Sequence, residues 1–276
     1  MSWEIPIFPQ EIEEIFPEEL QELMRNPRGS VFLLDVRQPQ EYHKEHLPGA
    51  SLIPLPELPD RADELPRDTT IVVYCGSGKR SHIAARILKE AGFELVKNLK
   101  GGMGAWIGPR AFGEVRSWQR FLKGNESPGE LIKLAYLMEN NLEAFYIGLS
   151  GSDHYPEELR KTLGLLAGFE KSHKELLTRL YREEVGTSIS IESFALDILE
   201  GGVGAGDIEA TLSLSPDRPD EVLEFALTVE AQAYDFYYRC LTEWKDDKGK
   251  KVLSELAQAE KKHMRIVGDL MDRFSG

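Results

Sequence analysis

Six residues in the second half of the chain constrain its fold more than any other feature. Glu139 leads to Phe145-Tyr146 and Glu230 leads to Phe236-Tyr237, so the form Glu-x-x-Xaa-x-x-Phe-Tyr occurs twice. Glu170 with His173 and Glu260 with His263 repeat the form Glu-x-x-His. The separations agree, 31 residues from Glu139 to Glu170 and 30 from Glu230 to Glu260. A helix pair duplicated in tandem accounts for both recurrences.

From about Ser127 the chain carries helical periodicity and no strand signal. Ser127-Pro-Gly-Glu130 has the form of a capping box with proline at the first helical position. Helices are predicted near 128–149, 156–185, 219–244 and 248–274. The loop within each pair is short, whereas Gly186–Pro216 between the second and third helices is long, and Glu200-Gly-Gly202 within it is turn chemistry. Four long helices with one long crossover suggest a ferritin-like bundle.

The neighbours of the four glutamates decide between surface and core. On the helical face of Glu230 lie Ala226, Leu227, Ala233, Tyr234 and Tyr237; on that of Glu260 lie Leu256, Ala257, His263, Met264 and Val267. Glu170 has Leu166, Ala167, His173, Lys174 and Leu177, and Glu139 has Ala135, Tyr136, Leu142, Glu143 and Tyr146. These carboxylates sit largely within apolar stripes. Four buried carboxylates without compensation protonate or unfold the site, and cations remove that difficulty. Residues at i and i+3 project together from a helix, so each Glu–His pair can share one ion. Two such pairs with one glutamate from each remaining helix form a di-iron or di-manganese carboxylate constellation. Oxygen and imidazole ligands suit two iron ions, with manganese possible. Tyr146, Tyr234 and Tyr237 read as core-filling residues near the metal helices. His43, His46, His82 and His154 have no ligand spacing and read as loop or surface residues.

This half, residues 127–276, resembles the rubrerythrin branch of the ferritin-like superfamily. The resemblance implies that Glu139, Glu170, His173, Glu230, Glu260 and His263 are the metal ligands, with Glu170 and Glu260 bridging. It further implies redox chemistry on peroxide or dioxygen with an external electron donor, and a homodimer. Two departures stand out. Rubrerythrins carry a further glutamate one turn before the third-helix ligand, where this chain has Leu227. They usually carry a four-cysteine rubredoxin module, whereas this sequence has two cysteines in all. A metal-binding or stress-sensing role without turnover is the alternative.

The first half reads differently. Val31-Phe-Leu-Leu-Asp-Val36 and Ile71-Val-Val-Tyr74 are short, partly β-branched runs bounded by polar or turn residues, as buried strands are. Amphipathic stretches at Pro17–Met24 and Ser81–Ala91 alternate with them, the second stopping at Gly92. Strand alternating with helix implies an α/β domain with a mainly parallel sheet. Residues 109–126 read as a partly packed linker.

At the end of the second strand stands Cys75-Gly-Ser-Gly-Lys-Arg-Ser81. Backbone N–H groups of residues 76–81, the start of a helix and the cations Lys79 and Arg80 all stabilise a thiolate and hold an anion. Cys75 is therefore expected to be a low-pKa nucleophile. Cys240, on a predicted helix, reads as core.

Leu34-Asp-Val-Arg37, Glu41-Tyr42, His46-Leu-Pro-Gly-Ala50, Tyr74-Cys75 with its loop, Leu99-Lys-Gly-Gly102 and Trp106 together resemble a single-domain rhodanese over residues 1–108. The resemblance implies that Cys75 takes the outer sulfur of a small anionic donor such as thiosulfate and passes it from a persulfide to a thiol or protein acceptor. It makes Gly76, Ser77, Gly78, Lys79, Arg80 and Ser81 the substrate cradle, Arg80 the anion-binding cation, and Asp35 and Arg37 structural. Four residues separate Cys75 from Arg80, one fewer than in related phosphatases, and the shorter loop favours sulfur transfer.

Composition narrows what remains. A net charge of −14 disfavours binding to nucleic acid. No apolar run is long enough to span a bilayer, and the start lacks a secretory pattern, so the expected location is cytoplasmic. Two distant cysteines exclude a disulfide framework.

Overall fold

The computed structural model describes residues 11–25, 31–114, 119, 122–153, 155–189, 198–199, 203–204 and 219–274. The chain divides into two compact units, residues 1–108 with 112–115 and residues 109–111 with 116–276. Among the described residues no helix is long and apolar enough to cross a membrane.

The first unit is an α/β domain. Its strands are β1 (Glu13–Ile15), β2 (Val31–Asp35), β3 (Ser51–Leu52), β4 (Thr70–Tyr74) and β5 (Val96–Leu99), in the order β1-β5-β4-β2-β3. Every pairing is parallel, with Leu33 opposite Val72 and Val73 opposite Asn98. The helices α1 (Pro17–Arg25), α2 (Pro39–Lys44), α3 (Leu58–Arg61) and α4 (Lys79–Glu90) lie between the strands. The central strand β4 alternates its side chains between two apolar clusters. Ile71 and Val73 join Ala84, Ala85 and Leu88 of α4, while Val72 and Tyr74 join Leu20, Tyr42 and Trp106. A strand buried on both faces reads as a continuous apolar run, as Ile71-Val-Val-Tyr74 does.

The second unit is a four-helix bundle of α5 (Pro128–Ser150), α6 (Glu157–Val185), α7 (Pro219–Glu243) and α8 (Asp247–Phe274). Its first helix starts as the sequence predicts. The Ser127 hydroxyl accepts from Glu130 N–H at 3.3 Å, and Glu130 Oε2 accepts from Ser127 N–H at 2.7 Å. Gly186 closes α6 in the left-handed conformation. Within the long connection the described residues form a small antiparallel pair, β6 (Ile198–Leu199) with β7 (Val203–Gly204). Glu200-Gly-Gly202 lies outside the described residues.

The bundle has two apolar clusters. One gathers Ile132, Met138, Phe236, Tyr237, Cys240 and Leu253, and the other gathers Leu142, Tyr146, Leu163, Leu166, Leu223 and Val267. Tyr146 and Tyr237 are thus core residues, as expected, and Tyr234 packs half-buried beside the first cluster.

In the interior of α6, Gly164 and Gly168 face open space: an added Cβ meets no heavy atom within 4 Å. Glycine inside a helix costs about 0.5–1 kcal/mol relative to alanine. Gly164→Ala and Gly168→Ala are therefore expected to raise bundle stability by about that amount each, read as a higher denaturant midpoint followed by far-UV circular dichroism. A lower midpoint for either would mean that the open space is used.

Candidate thiol site and candidate metal centre

Cys75 follows β4 directly, and its side chain is almost fully buried, 1% exposed. Gly78, in the left-handed region at φ 84°, is the N-cap of α4, so the helix opens at Lys79, two residues before the predicted start. Gly102 lets two loops touch. The Met103 N–H donates to Cys75 O at 2.8 Å and the Gly104 N–H donates to Gly76 O at 2.9 Å. Leu99-Lys-Gly-Gly102 is therefore a strap for the thiol loop.

Burial, the largest single influence on the Cys75 thiol, pushes its pKa up. The Ser81 hydroxyl and the backbone N–H groups of Ser81, Ser77 and Gly78 outweigh it, and the pKa is lowered overall. Ser81 Oγ lies 3.5 Å from Cys75 Sγ and 2.6 Å from Asn98 Oδ1. Ser81 and Asn98 are both buried, so the polar chain from strand β5 to the sulfur is shielded from water. Sequence reasoning did not single out Asn98, which lies 17 residues from Ser81 and is brought to it by parallel pairing.

Arg80 also has a partner that the sequence did not reveal. Its Nη1 and Nη2 donate to Glu41 Oε2 and Oε1 at 2.7 and 2.6 Å. The side chain of Lys79 is exposed. Asp35 and Arg37 form a buried ion pair at 2.7 Å, with Arg37 Nη2 also donating to Glu45 O at 2.6 Å. That pair fixes the turn after β2.

Of the loop-or-surface expectation for the four histidines, His46 meets the loop part and not the surface part: it lies between α2 and β3 but is fully buried, its ring stacked on Tyr42 at 3.7 Å and its Nδ1 2.8 Å from Tyr42 O. His82 is exposed and His43 half-buried, and His154 lies outside the described residues.

In the bundle, the six expected ligands converge. Glu139, Glu170, Glu230 and Glu260 are 0% exposed, and His173 and His263 are buried beside them. His173 Nδ1 lies 2.8 Å from Glu139 Oε1 and 3.8 Å from Glu260 Oε1. His263 Nδ1 lies 3.2 Å from Glu230 Oε2 and 3.9 Å from Glu260 Oε2. The two imidazoles stack at 3.8 Å with planes 9° apart. Three sets bring ligand atoms within 4.8 Å of one another: Glu170 with both histidines, Glu139 with His173 and Glu260, and Glu230 with Glu260 and His263.

This donor set fits a pair of cations. Its four carboxylates and two imidazoles are oxygen and nitrogen donors of the kind that hold iron or manganese. Glu230 Oε1 is buried with no hydrogen-bond donor among the described residues, which is costly for a carboxylate oxygen and is relieved by a cation. The halves of the duplicated unit differ one turn further on. Glu143 and Lys174 form an ion pair, with Lys174 Nζ donating to Asn140 Oδ1 at 2.9 Å. The corresponding positions of the second pair hold Tyr234 and Met264.

Cys240 is 0% exposed, and burial pushes its thiol pKa far up, so it is inert core as expected.

A thiol loop at the end of a parallel strand and a carboxylate–histidine layer in a four-helix bundle define a two-part protein: a rhodanese-like α/β domain joined to a ferritin-like bundle. Residues 16–108 match the family model for the rhodanese-like domain, and residues 130–271 match that for rubrerythrin. The chain belongs to the rubrerythrin family and carries a rhodanese-like domain ahead of the bundle. Curated relatives match about a quarter to a third of the chain. The sulfurtransferase of Allochromatium vinosum is 37% identical over 95 residues, 34% of this chain and 88% of that one. Thiosulfate sulfurtransferase PspE of Escherichia coli is 43% identical over 70 residues, 25% of this chain and 67% of that one. YrkF of Bacillus subtilis is 47% identical over 79 residues, 29% of this chain and 43% of that one.

Proposed function

We propose that the chain is a rhodanese-type sulfurtransferase fused to a di-iron carboxylate domain that performs redox chemistry on peroxide or dioxygen. The observation that carries the first part is the position of Cys75, buried at the floor of a loop whose amides and Ser81 hydroxyl lower its thiol pKa. In the proposed reaction the Cys75 thiolate attacks the outer sulfur of a sulfane donor such as thiosulfate. The donor's S–S bond breaks, sulfite leaves with the bonding pair, and Cys75 carries a persulfide. An acceptor thiolate then attacks the outer persulfide sulfur, and Cys75 leaves as thiolate. The amides of residues 76–81 with Lys79 and Arg80 hold the anion throughout.

In the bundle, Glu139, Glu170, His173, Glu230, Glu260 and His263 would hold two iron ions, or manganese, with Glu170 and Glu260 between them. Bound there, the ions supply one-electron redox steps driven by an external electron donor. The protein's share is to fix the ligand atoms and, through the apolar clusters on either side, to keep bulk water from them.

The pH dependence of Cys75 tests the thiol part. Its thiolate is favoured in the folded protein, so alkylation by iodoacetamide should persist below the pH at which an ordinary thiol loses reactivity, and fall only as pH drops through the lowered pKa. Incubation with thiosulfate should add one sulfur to Cys75 by mass, and Cys75→Ser should abolish both the adduct and turnover. An ordinary thiol profile with no adduct would rule the sulfur-carrier role out.

Leu227 favours a second reading of the bundle. It packs within an apolar cluster one turn before Glu230, where a further carboxylate stands in rubrerythrins. A site so reduced binds metal and senses oxidant without turnover. One equivalent of peroxide consumed per reduced site, and no more with added reductant, would select it.

A further inference from the structure

The cation expected to hold the donor is not free to act as a full charge. Both terminal nitrogens of Arg80 donate to the two oxygens of Glu41. Glu41 is itself held in place: it is the third residue of α2, and its Oε2 accepts from the Gln38 N–H at 3.1 Å. The Arg80 hydrogen bonds, foremost, keep the Glu41 carboxyl ionised down to about pH 2. Each side chain of the pair is 38% exposed, so an approaching solute meets both charges together. The pair also stands at the mouth of the thiol loop. A Cβ on Gly76 would lie 3.5 Å from Arg80 Nη2 and 3.9 Å from Glu41 Oε1.

The charges around the sulfur then balance. Cys75 thiolate and Glu41 are negative, Lys79 and Arg80 positive, and what remains is the partial positive charge of loop amides and the α4 N-terminus. That remainder suits one negative charge on the donor. A second must be accommodated beside Glu41 at short range, where unit charges interact strongly.

We infer that Glu41 is a specificity-determining residue: by neutralising Arg80 it turns the thiol site away from dianionic sulfane donors and toward donors with a single negative charge at the reacting end, alkyl persulfides and thiosulfonates. The inference rests on the sulfur-carrier role of Cys75 and narrows its donor. For a thiosulfonate, the Cys75 thiolate bonds to the terminal sulfur of R–SO2–S⁻, the S–S bond breaks, and the sulfinate R–SO2⁻ departs with its electron pair. One anionic charge enters and one leaves. With an alkyl persulfide R–S–S⁻ the same attack releases the thiolate R–S⁻, which takes a proton from solvent.

The test compares two donors alike in shape, thiosulfate (charge −2) and methanethiosulfonate (charge −1), by the rate of Cys75 persulfide formation in single turnover on the full chain. The leaving groups differ, but that difference cancels when the ratio of the two rates is compared between variants. Glu41→Gln keeps the size of the side chain and an oxygen for the Gln38 N–H. It is expected to raise the thiosulfate-to-methanethiosulfonate ratio about tenfold, the effect of removing one unit charge near the donor. Arg80→Gln, which leaves the Glu41 charge uncompensated, is expected to lower the ratio, and gives a second reading if the first variant does not fold. Alkylation by the uncharged iodoacetamide, run alongside, corrects for any change in the thiolate itself. A ratio unmoved in both variants overturns the inference and leaves the sulfur-carrier role standing. A wild-type Cys75 that takes sulfur from neither donor overturns both.

Discussion

Gly102→Ala is expected to disable the thiol site without touching a reacting group. A Cβ at this position would lie 2.1 Å from Cys75 O, 2.9 Å from Cys75 C and 3.0 Å from Gly78 N, at a backbone φ of 56°. These are backbone atoms of a closed loop, so no flexible side chain can give way. The loop must move or the strap must detach, at a cost of about 3 kcal/mol to the domain. Either movement withdraws the amides of Ser77 and Gly78 from the sulfur. A displacement of about 1 Å in such a site costs about a hundredfold in rate. The alkylation profile of Cys75 should shift toward the pH range of an ordinary thiol, because burial would then act with fewer opposing hydrogen bonds. A variant with wild-type transfer rate and profile would show that the strap is dispensable.

The second large effect concerns the bundle. Protein purified without oxygen should contain about two iron or manganese ions per chain by elemental analysis. Chelation should then lower the thermal midpoint of the helical transition. At metal concentrations a thousandfold above the dissociation constant, the loss amounts to about 4 kcal/mol. Glu260 groups with both His173 and His263, whereas Glu139 groups with the first and Glu230 with the second. Glu260→Ala should therefore empty both positions, while Glu139→Ala or Glu230→Ala should leave about one ion per chain. Metal-free wild type that gains no ions and no stability on reconstitution with iron would mean that the four carboxylates share protons instead.

The parts of this structure that were legible in the sequence are those with a period or a fixed spacing. The long helices announce themselves through apolar faces, the capping box at Ser127 and Glu130, and Gly186 after α6. The convergence of the six candidate ligands follows from i, i+3 pairs on helices whose neighbours are apolar. Short edge elements carry no such signal. β1 covers three residues, Glu13–Ile15, two of them exposed glutamates, and β3 only two, Ser51–Leu52. They are strands because the sheet has an edge to fill. The Glu41–Arg80 and Ser81–Asn98 pairs were invisible for another reason: they join residues 39 and 17 apart whose meeting depends on the order of the parallel strands. The burial of His46 within its loop was not legible because its polarity suggests solvent, whereas stacking on Tyr42 and a bond to a backbone carbonyl let it be buried.

The division of the bundle interior has a consequence for how this half of the molecule holds together. Its apolar residues form two separate pools, one around Phe236 and Leu253 and one around Leu163 and Leu223, with the six candidate ligand side chains between them. Oil does not run continuously from end to end. Mechanical and thermal cooperativity must cross that polar floor through two imidazole–carboxylate contacts, His173 with Glu139 and His263 with Glu230, and through carboxylates that repel one another unless something positive sits among them. Occupied, the floor rivets four helices at mid-height and the two pools melt together. Emptied, each end can loosen on its own account, so that loading state is written into the melting behaviour of residues far from any ligand.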